Sequence, residues 1–360
     1  MIRPPDYVLG IQPYVPGKPV EELERELGIP NSIKLASNEN PVGPSPMALR
    51  ALQDAFSGIN RYPDGSGYYL KRALSESLSV GEDELILGNG SNELLETAVR
   101  TFMKDDDEAV MATPSFVIYA MAVQSIGGKA VQVPLRNHTH DLAAMAEAIT
   151  PKTKIIFIGN PNNPTGTCTG KDEFDRMMGQ VSDDILVVVD EAYYEYVTDP
   201  DYADSMKYLR SDKNILILRT FSKIYGLAGL RLGYGIAKKD ILAAMNRLRA
   251  PFNTNSLAQK AAVAALRDKE HVDHSRKVNE EGKHYLYREL GSLGAAYVPT
   301  EANFIYMPVE DAAKLYDGLL KQGVIIRPIG PKAVRVTIGL SEENRRFIEA
   351  LKTVISKGNE

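Results

Sequence analysis

Short apolar runs recur along the chain, each ending at a polar or glycine-bearing turn, and most lead into a helix-like segment. Glu84-Leu85-Ile86-Leu87 precedes a helical pattern from Asn92 to Phe102, and Ala109-Val110-Met111-Ala112 precedes one from Phe116 to Ser125. Lys154-Ile155-Ile156-Phe157-Ile158, Ile185 to Val189 and Ile215-Leu216-Ile217-Leu218 continue the series. Runs rich in β-branched residues that do not alternate with polar ones are covered on both faces. Separated by helical patterns, they predict an α/β fold with a mostly parallel central sheet between helices. Ligands in such sheets bind beyond the carboxyl ends of the strands, so the polar residues that close each run are where function is to be sought.

After about Pro251 the pattern changes to helical stretches from Ser256 to Leu266 and Lys277 to Leu290. A strand at Asn303 to Met307, a helix from Asp311 to Gln322, strands at Val324 to Arg327 and Val334 to Ile338, and a helix from Glu342 to Ile355 follow. We therefore expect a large domain over residues 41–255, with an N-terminal arm (1–40) and a smaller α/β domain (256–360) beside it. The arm is rich in Pro and Gly and can pack on either domain. A length of 360 residues suits two domains at roughly 150 residues each. Against 42 Lys+Arg stand 47 Asp+Glu, and no basic stretch offers the footprint that nucleic acid requires, so no nucleic-acid partner is expected. The one cysteine, Cys168, has no partner for an internal disulfide, and the start Met1-Ile2-Arg3-Pro4-Pro5-Asp6 lacks the apolar core of a signal peptide. No apolar run approaches the roughly 20 residues a membrane span needs. The expected compartment is the cytoplasm.

Four segments at strand ends carry chemistry. Gly88-Asn89-Gly90-Ser91-Asn92 lies between a strand and a helix, where backbone N–H groups and a helix N-terminus can face an anion. A dinucleotide fingerprint fails there because Glu93 stands in place of the third glycine, so a single phosphate fits better. Taken alone, the segment also reads as a turn that merely needs glycine. Asp190-Glu191 ends a buried strand; as the acidic strand of a nucleoside triphosphatase it would need a phosphate loop, and Gly166-Thr167-Cys168-Thr169-Gly170-Lys171-Asp172 has the wrong spacing. Asn160-Pro161-Asn162-Asn163-Pro164-Thr165-Gly166 is an extended turn that displays Asn side chains. Thr220-Phe221-Ser222-Lys223 follows another buried strand, with Arg231 shortly after it between Gly229 and Gly233. Desolvation and the cationic Arg231 would lower the Lys223 pKa, as a Schiff-base lysine requires, and the flanking glycines would let the guanidinium approach a phosphate. His138-Thr139-His140 and His271-Val272-Asp273-His274 lack the further ligands a metal needs, so both pairs are expected at the surface and no metal is expected.

Ser37-Asn38-Glu39-Asn40-Pro41, Arg61-Tyr62-Pro63, Gly88 to Asn92, Asn162 to Gly166, Asp190-Glu191-Ala192-Tyr193, Ser222-Lys223 and Arg231 occur in the order found in fold-type-I, pyridoxal-phosphate-dependent aminotransferases. The chain resembles that family over nearly its whole length. The resemblance implies that Lys223 holds the cofactor covalently and then serves as the base, that Asp190 pairs with the pyridine nitrogen, and that Asn163 and Tyr193 bond the ring's phenolic oxygen. Phe116 falls where the family stacks an aromatic on the ring. Ser91, Asn92, Ser222 and Arg231 would hold the cofactor phosphate, with Tyr62 reaching in from a partner subunit, so a homodimer is implied. Arg335 matches the arginine that grips the substrate carboxylate.

Within the family the chain is most similar to histidinol-phosphate aminotransferases. Tyr14 and Arg327 match positions that bind the substrate phosphate there, and Asn38 is placed with them and Arg335 at the substrate. The implied reaction runs between L-histidinol phosphate and 2-oxoglutarate, giving imidazole-acetol phosphate and L-glutamate in histidine biosynthesis. An aromatic aminotransferase, a pyridoxal-dependent decarboxylase of an amino-acid phosphate and a non-catalytic binding module are the competing readings. Intact Lys223, Asp190 and Arg335 argue against the last.

Overall fold

The structure is a computed structural model that describes residues 2–358. Its seven-stranded sheet comprises β2 (Leu85–Gly88), β3 (Glu108–Thr113), β4 (Lys129–Pro134), β5 (Thr153–Gly159), β6 (Leu186–Asp190), β7 (Asn214–Thr220) and β8 (Gly233–Ala237), after a short β1 (Ile33–Lys34) in the arm. The order is β2-β8-β7-β6-β5-β3-β4. Strands β4, β3, β5, β6 and β7 run parallel, whereas β8 is antiparallel to both β7 and β2.

The continuous apolar runs are explained by two cores, one on each face. Ile156, Ile158, Val187, Val189, Ile215 and Ile217 point into one core, and Ile155, Phe157, Leu186, Val188, Leu216 and Leu218 into the other. Strand β8 carries a weak strand signature because two of its five residues are glycine, a residue with no side chain to pack. The glycines answer to close neighbours: a Cβ on Gly235 would lie 2.9 Å from Ile86 Cγ2, and one on Gly233 would lie 2.5 Å from the Ser91 backbone nitrogen.

A second sheet of three antiparallel strands has the order β11 (Arg327–Pro328), β12 (Ala333–Thr337), β9 (Phe304–Pro308). Strand β10 (Val324–Ile325) leaves this sheet to pair parallel with β1, so the run Val324 to Arg327 is divided between two partners. The arm packs on this unit, with Leu23 and Ala36 buried against Ile325. Helix Ser256–Arg267 behaves differently from the division at 255: Ala258, Ala261, Ala262 and Ala265 sit in a core of the large sheet. Helix Lys269–Ser292 starts earlier than its apolar pattern because the Asp268 side chain caps it, accepting from the His271 N–H, and it sends Leu286 and Leu290 into the core of the small sheet. No helix among the described residues is long and apolar enough to cross a membrane.

Candidate active site

Strands β5, β6 and β7 end together at Gly159, Asp190 and Thr220, and a cavity of about 200 Å³ opens over these ends. Its lining includes Tyr14, Asn38, Ser91, Asn92, Phe116, Asn163, Asp190, Tyr193, Ser222, Lys223, Arg231 and Arg335. A second chamber of about 350 Å³ shares Tyr14, Phe116, Asn163 and Arg335 with it and adds Arg327.

One end of the cavity is built for an anion. Helix Gly90–Phe102 starts there without a side-chain cap, and its first N–H donates to the Arg231 carbonyl at 3.0 Å. Arg231 takes a left-handed backbone (φ 55°) and donates from Nη1 to Ser222 Oγ at 3.3 Å. The room for its guanidinium comes from Gly90 rather than from Gly229: a Cβ on Gly90 would stand 2.6 Å from Arg231 Nη2, while Gly229 faces open space. Glu93 does not oppose an anion, because Oε2 accepts from the Asn89 N–H at 2.6 Å and from Asn253 Nδ2 at 2.7 Å. Uncapped helix N–H groups, two hydroxyls, an amide and a guanidinium form a donor set that suits a phosphate monoester.

Lys223 stands between this end and the carboxylate, its Nζ donating to the Ser37 carbonyl at 3.3 Å. Burial, and then the Arg335 cation, bring its pKa down to about 8; Arg231 contributes less than Arg335, which corrects the expectation from sequence proximity. Asp190 is buried, with Oδ1 accepting from the Ala192 N–H at 3.2 Å and Oδ2 from the Tyr119 hydroxyl at 2.8 Å. Burial pushes it up to about 6.

Along the side of the cavity, Asn38 Nδ2 donates to the Tyr193 hydroxyl oxygen at 2.9 Å and Arg335 Nη1 donates to Asn163 Oδ1 at 2.5 Å. Both side chains line the cavity, and among the described residues neither the Tyr193 O–H nor the Asn163 Nδ2 has an acceptor. Arg335 Nη2 donates to the Ala36 carbonyl at 2.8 Å, while its buried Nε has no partner among the described residues. Arg327 is the direct cross-strand neighbour of Arg335, and its guanidinium lies 5.3 Å from the centre of the Tyr14 ring. Two arginines side by side repel one another unless an anion joins them.

Tyr62 is outside this group. It is 82% exposed and stacks on Phe252 with ring centres 4.6 Å apart. The histidine expectation needs correction, since one member of each pair is interior. His140 is buried with Nε2 2.9 Å from the Gly159 carbonyl and Nδ1 without a partner among the described residues, and His271 is buried with Nε2 3.1 Å from the carbonyl of Gly43. Tyr119 also lines the cavity, where the sequence pattern marks only a helix; its one signal there is a phenol one turn beyond Phe116 on the same face.

The sequence matches the aminotransferase class I and II family over residues 30–351. It is 53% identical to histidinol-phosphate aminotransferase of Moorella thermoacetica, covering 97% of this chain and 92% of that one. It is 47% identical to histidinol-phosphate aminotransferase 1 of Nitrosococcus oceani, covering 97% and 96%. The crystal structure of histidinol-phosphate aminotransferase from Sinorhizobium meliloti in complex with pyridoxal-5'-phosphate superposes with a TM-score of 0.90 at 26% identity, covering 97% of each chain.

Proposed function

Because the chain belongs to the class I and II aminotransferases, and within them to the histidinol-phosphate aminotransferases, we propose that it transfers an amino group between L-histidinol phosphate and 2-oxoglutarate, giving imidazole-acetol phosphate and L-glutamate, with pyridoxal phosphate as cofactor. Bound here, pyridoxal phosphate supplies an aldehyde that condenses with amines and a pyridinium ring that accepts electron density from a breaking bond. The cavity fits it: the Gly90 and Gly233 cradle, which a Cβ would fill, suits its phosphate, and the buried carboxylate of Asp190 suits a basic ring nitrogen.

In this reading Ser91, Asn92, Ser222 and Arg231 would hold the cofactor phosphate, Phe116 would pack on its ring, and Asn163 and Tyr193 would donate to its phenolic oxygen. Lys223 would hold the cofactor through its aldehyde. The neutral Lys223 amine would serve as the base that takes the proton from the substrate Cα and returns it, a task suited to a base titrating near neutrality. Arg335 orients the carboxylate of glutamate or 2-oxoglutarate, with Asn38 steadying the substrate side through Tyr193. Tyr14 and Arg327 take the phosphate of histidinol phosphate. Tyr62 completes the phosphate site of a partner in a cytoplasmic homodimer.

The observation that carries the substrate assignment is the cross-strand pair Arg327 and Arg335 opening with Tyr14 onto the chamber beside Lys223. An unphosphorylated aromatic amino acid leaves Arg327 without an anion. Single-turnover half-reactions test this: Arg327→Ala should cost about tenfold to a hundredfold in kcat/KM for histidinol phosphate, the scale of one charge-assisted contact, and much less for phenylalanine. Equal losses would support the aromatic-aminotransferase reading instead.

A further inference from the structure

Among the described residues, Tyr119 is the one fully interior phenol whose hydroxyl reaches a carboxylate of the cavity. Its side chain is 1% exposed, and its ring lies flat on Phe157 with centres 4.9 Å apart and planes 5° from parallel. The Phe116 ring meets it edge-on at 5.6 Å. Phe116 caps helix Val117–Gln124 and Tyr119 is one turn on, so a single element presents both a face for a ring and a donor for the group at that ring's edge. Glycine at 159 leaves room for the phenol, because a Cβ there would stand 3.3 Å from Tyr119 Oη.

Resting on the cofactor reading above, we propose that Tyr119 is a positioning residue for Asp190: its hydroxyl, donated to Oδ2, keeps Asp190 anionic and aimed at the cavity, so that the proton between Asp190 and the cofactor ring nitrogen stays on the nitrogen. The direction of the bond is fixed. Burial, and then the nearby Asp190, hold the phenol well above its ordinary range, so it remains a donor at every working pH. Among the described residues Asp190 has one other donor, the Ala192 N–H, and the charged groups facing it are Lys223, which favours the anion, and Glu191, which opposes it. Glu191 is engaged by Arg219 at 2.8 Å, and Tyr193 approaches from the same side as Lys223. Without the Tyr119 hydroxyl, the oxygen Oδ2 has no donor from the described residues. Its proton affinity rises, and the shared proton moves from the ring nitrogen toward the carboxylate.

Holoenzyme prepared with pyridoxal phosphate carrying 15N in the ring tests this by NMR. The wild type should resonate at the protonated pyridine position at pH 7. In Tyr119→Phe, which keeps the stacked ring, the resonance should move toward the unprotonated position, reporting a tenfold to hundredfold redistribution of the proton. In the same variant kcat should fall about tenfold with KM changed less than twofold. Phe157→Leu, which loosens the stack but leaves the hydroxyl, should not move the resonance. An unmoved resonance in Tyr119→Phe overturns the proposal. An unprotonated nitrogen in the wild type overturns it whatever the variants do. Failure of the cofactor reading looks different: the wild type would take up no cofactor, or borohydride would fix it to a lysine other than Lys223.

Discussion

The amine of Lys223 owes its reactivity to what surrounds it rather than to its own chemistry. With a pKa of about 8, an appreciable fraction is neutral near pH 7, and only the neutral form attacks a carbonyl. The rate at which cofactor-free protein captures pyridoxal phosphate should therefore rise about tenfold per pH unit up to about pH 8 and then level off. Burial is the larger cause of the lowered value and the Arg335 cation the next. Arg335→Gln removes a positive charge that disfavours protonation, so the midpoint of this profile should move upward. A midpoint that stays put in stopped-flow capture would assign the whole shift to burial.

Elements set the phosphate cradle and the buried ends of the sheet. Gly90 has φ of 74°, where alanine costs roughly 1–2 kcal/mol, and its missing side chain is what admits Arg231. Gly90→Ala should weaken cofactor affinity about tenfold by that strain. Gly233→Ala should do more, because its Cβ meets the Ser91 backbone nitrogen at 2.5 Å rather than the end of a mobile side chain. Equilibrium dialysis with pyridoxal phosphate ranks the two, and the reverse order would refute the account. At the end of β5, burial brings His140 down from 6.5 to about 4. Its folded pKa lies below the unfolded one, so the stability it contributes is complete above about pH 6.5 and is lost as pH falls toward 4, with roughly 3 kcal/mol at most in play. Asp190 and Glu195 are raised by burial to about 6 and about 7, and their contributions run the other way, disappearing as pH rises. The difference in Tm between wild type and His140→Gln isolates the imidazole: the variant should lose less stability between pH 6.5 and 4. Parallel curves would show that His140 titrates normally.

At the scale of the whole molecule, one chain gathers the side chains that line the cavity, whereas Tyr62 stands exposed against Phe252, away from it. We propose that it serves the neighbouring subunit. Mixing a Tyr62→Ala chain with a Lys223→Ala chain distinguishes the arrangements: if Tyr62 serves its partner, each mixed dimer contains one fully native site and activity returns. If Tyr62 serves its own chain, both sites of the mixed dimer are defective and activity stays at the level of the separate variants.

The sequence alone determined the two-faced strands and the chemistry at their ends. Periodicity marks which faces are covered, and Asp190 and Lys223 follow apolar runs whose carboxyl ends must share one sheet edge, with Arg231 shortly after Lys223. What only the tertiary structure decided is which distant residues share a solvent-free volume. Tyr119 became a donor to Asp190 by the docking of helix Val117–Gln124 on β3 and β4, which lays its ring on Phe157 and brings its hydroxyl to Asp190, and His140 and His271 turned inward toward the Gly159 and Gly43 carbonyls. Arg335 outweighs Arg231 at Lys223 although it lies far along the chain, and the alanines after Ser256 joined the larger core. Local pattern records the chemistry and exposure of one element at a time. Desolvation and charge coupling act through space, and so they are set only when the elements pack.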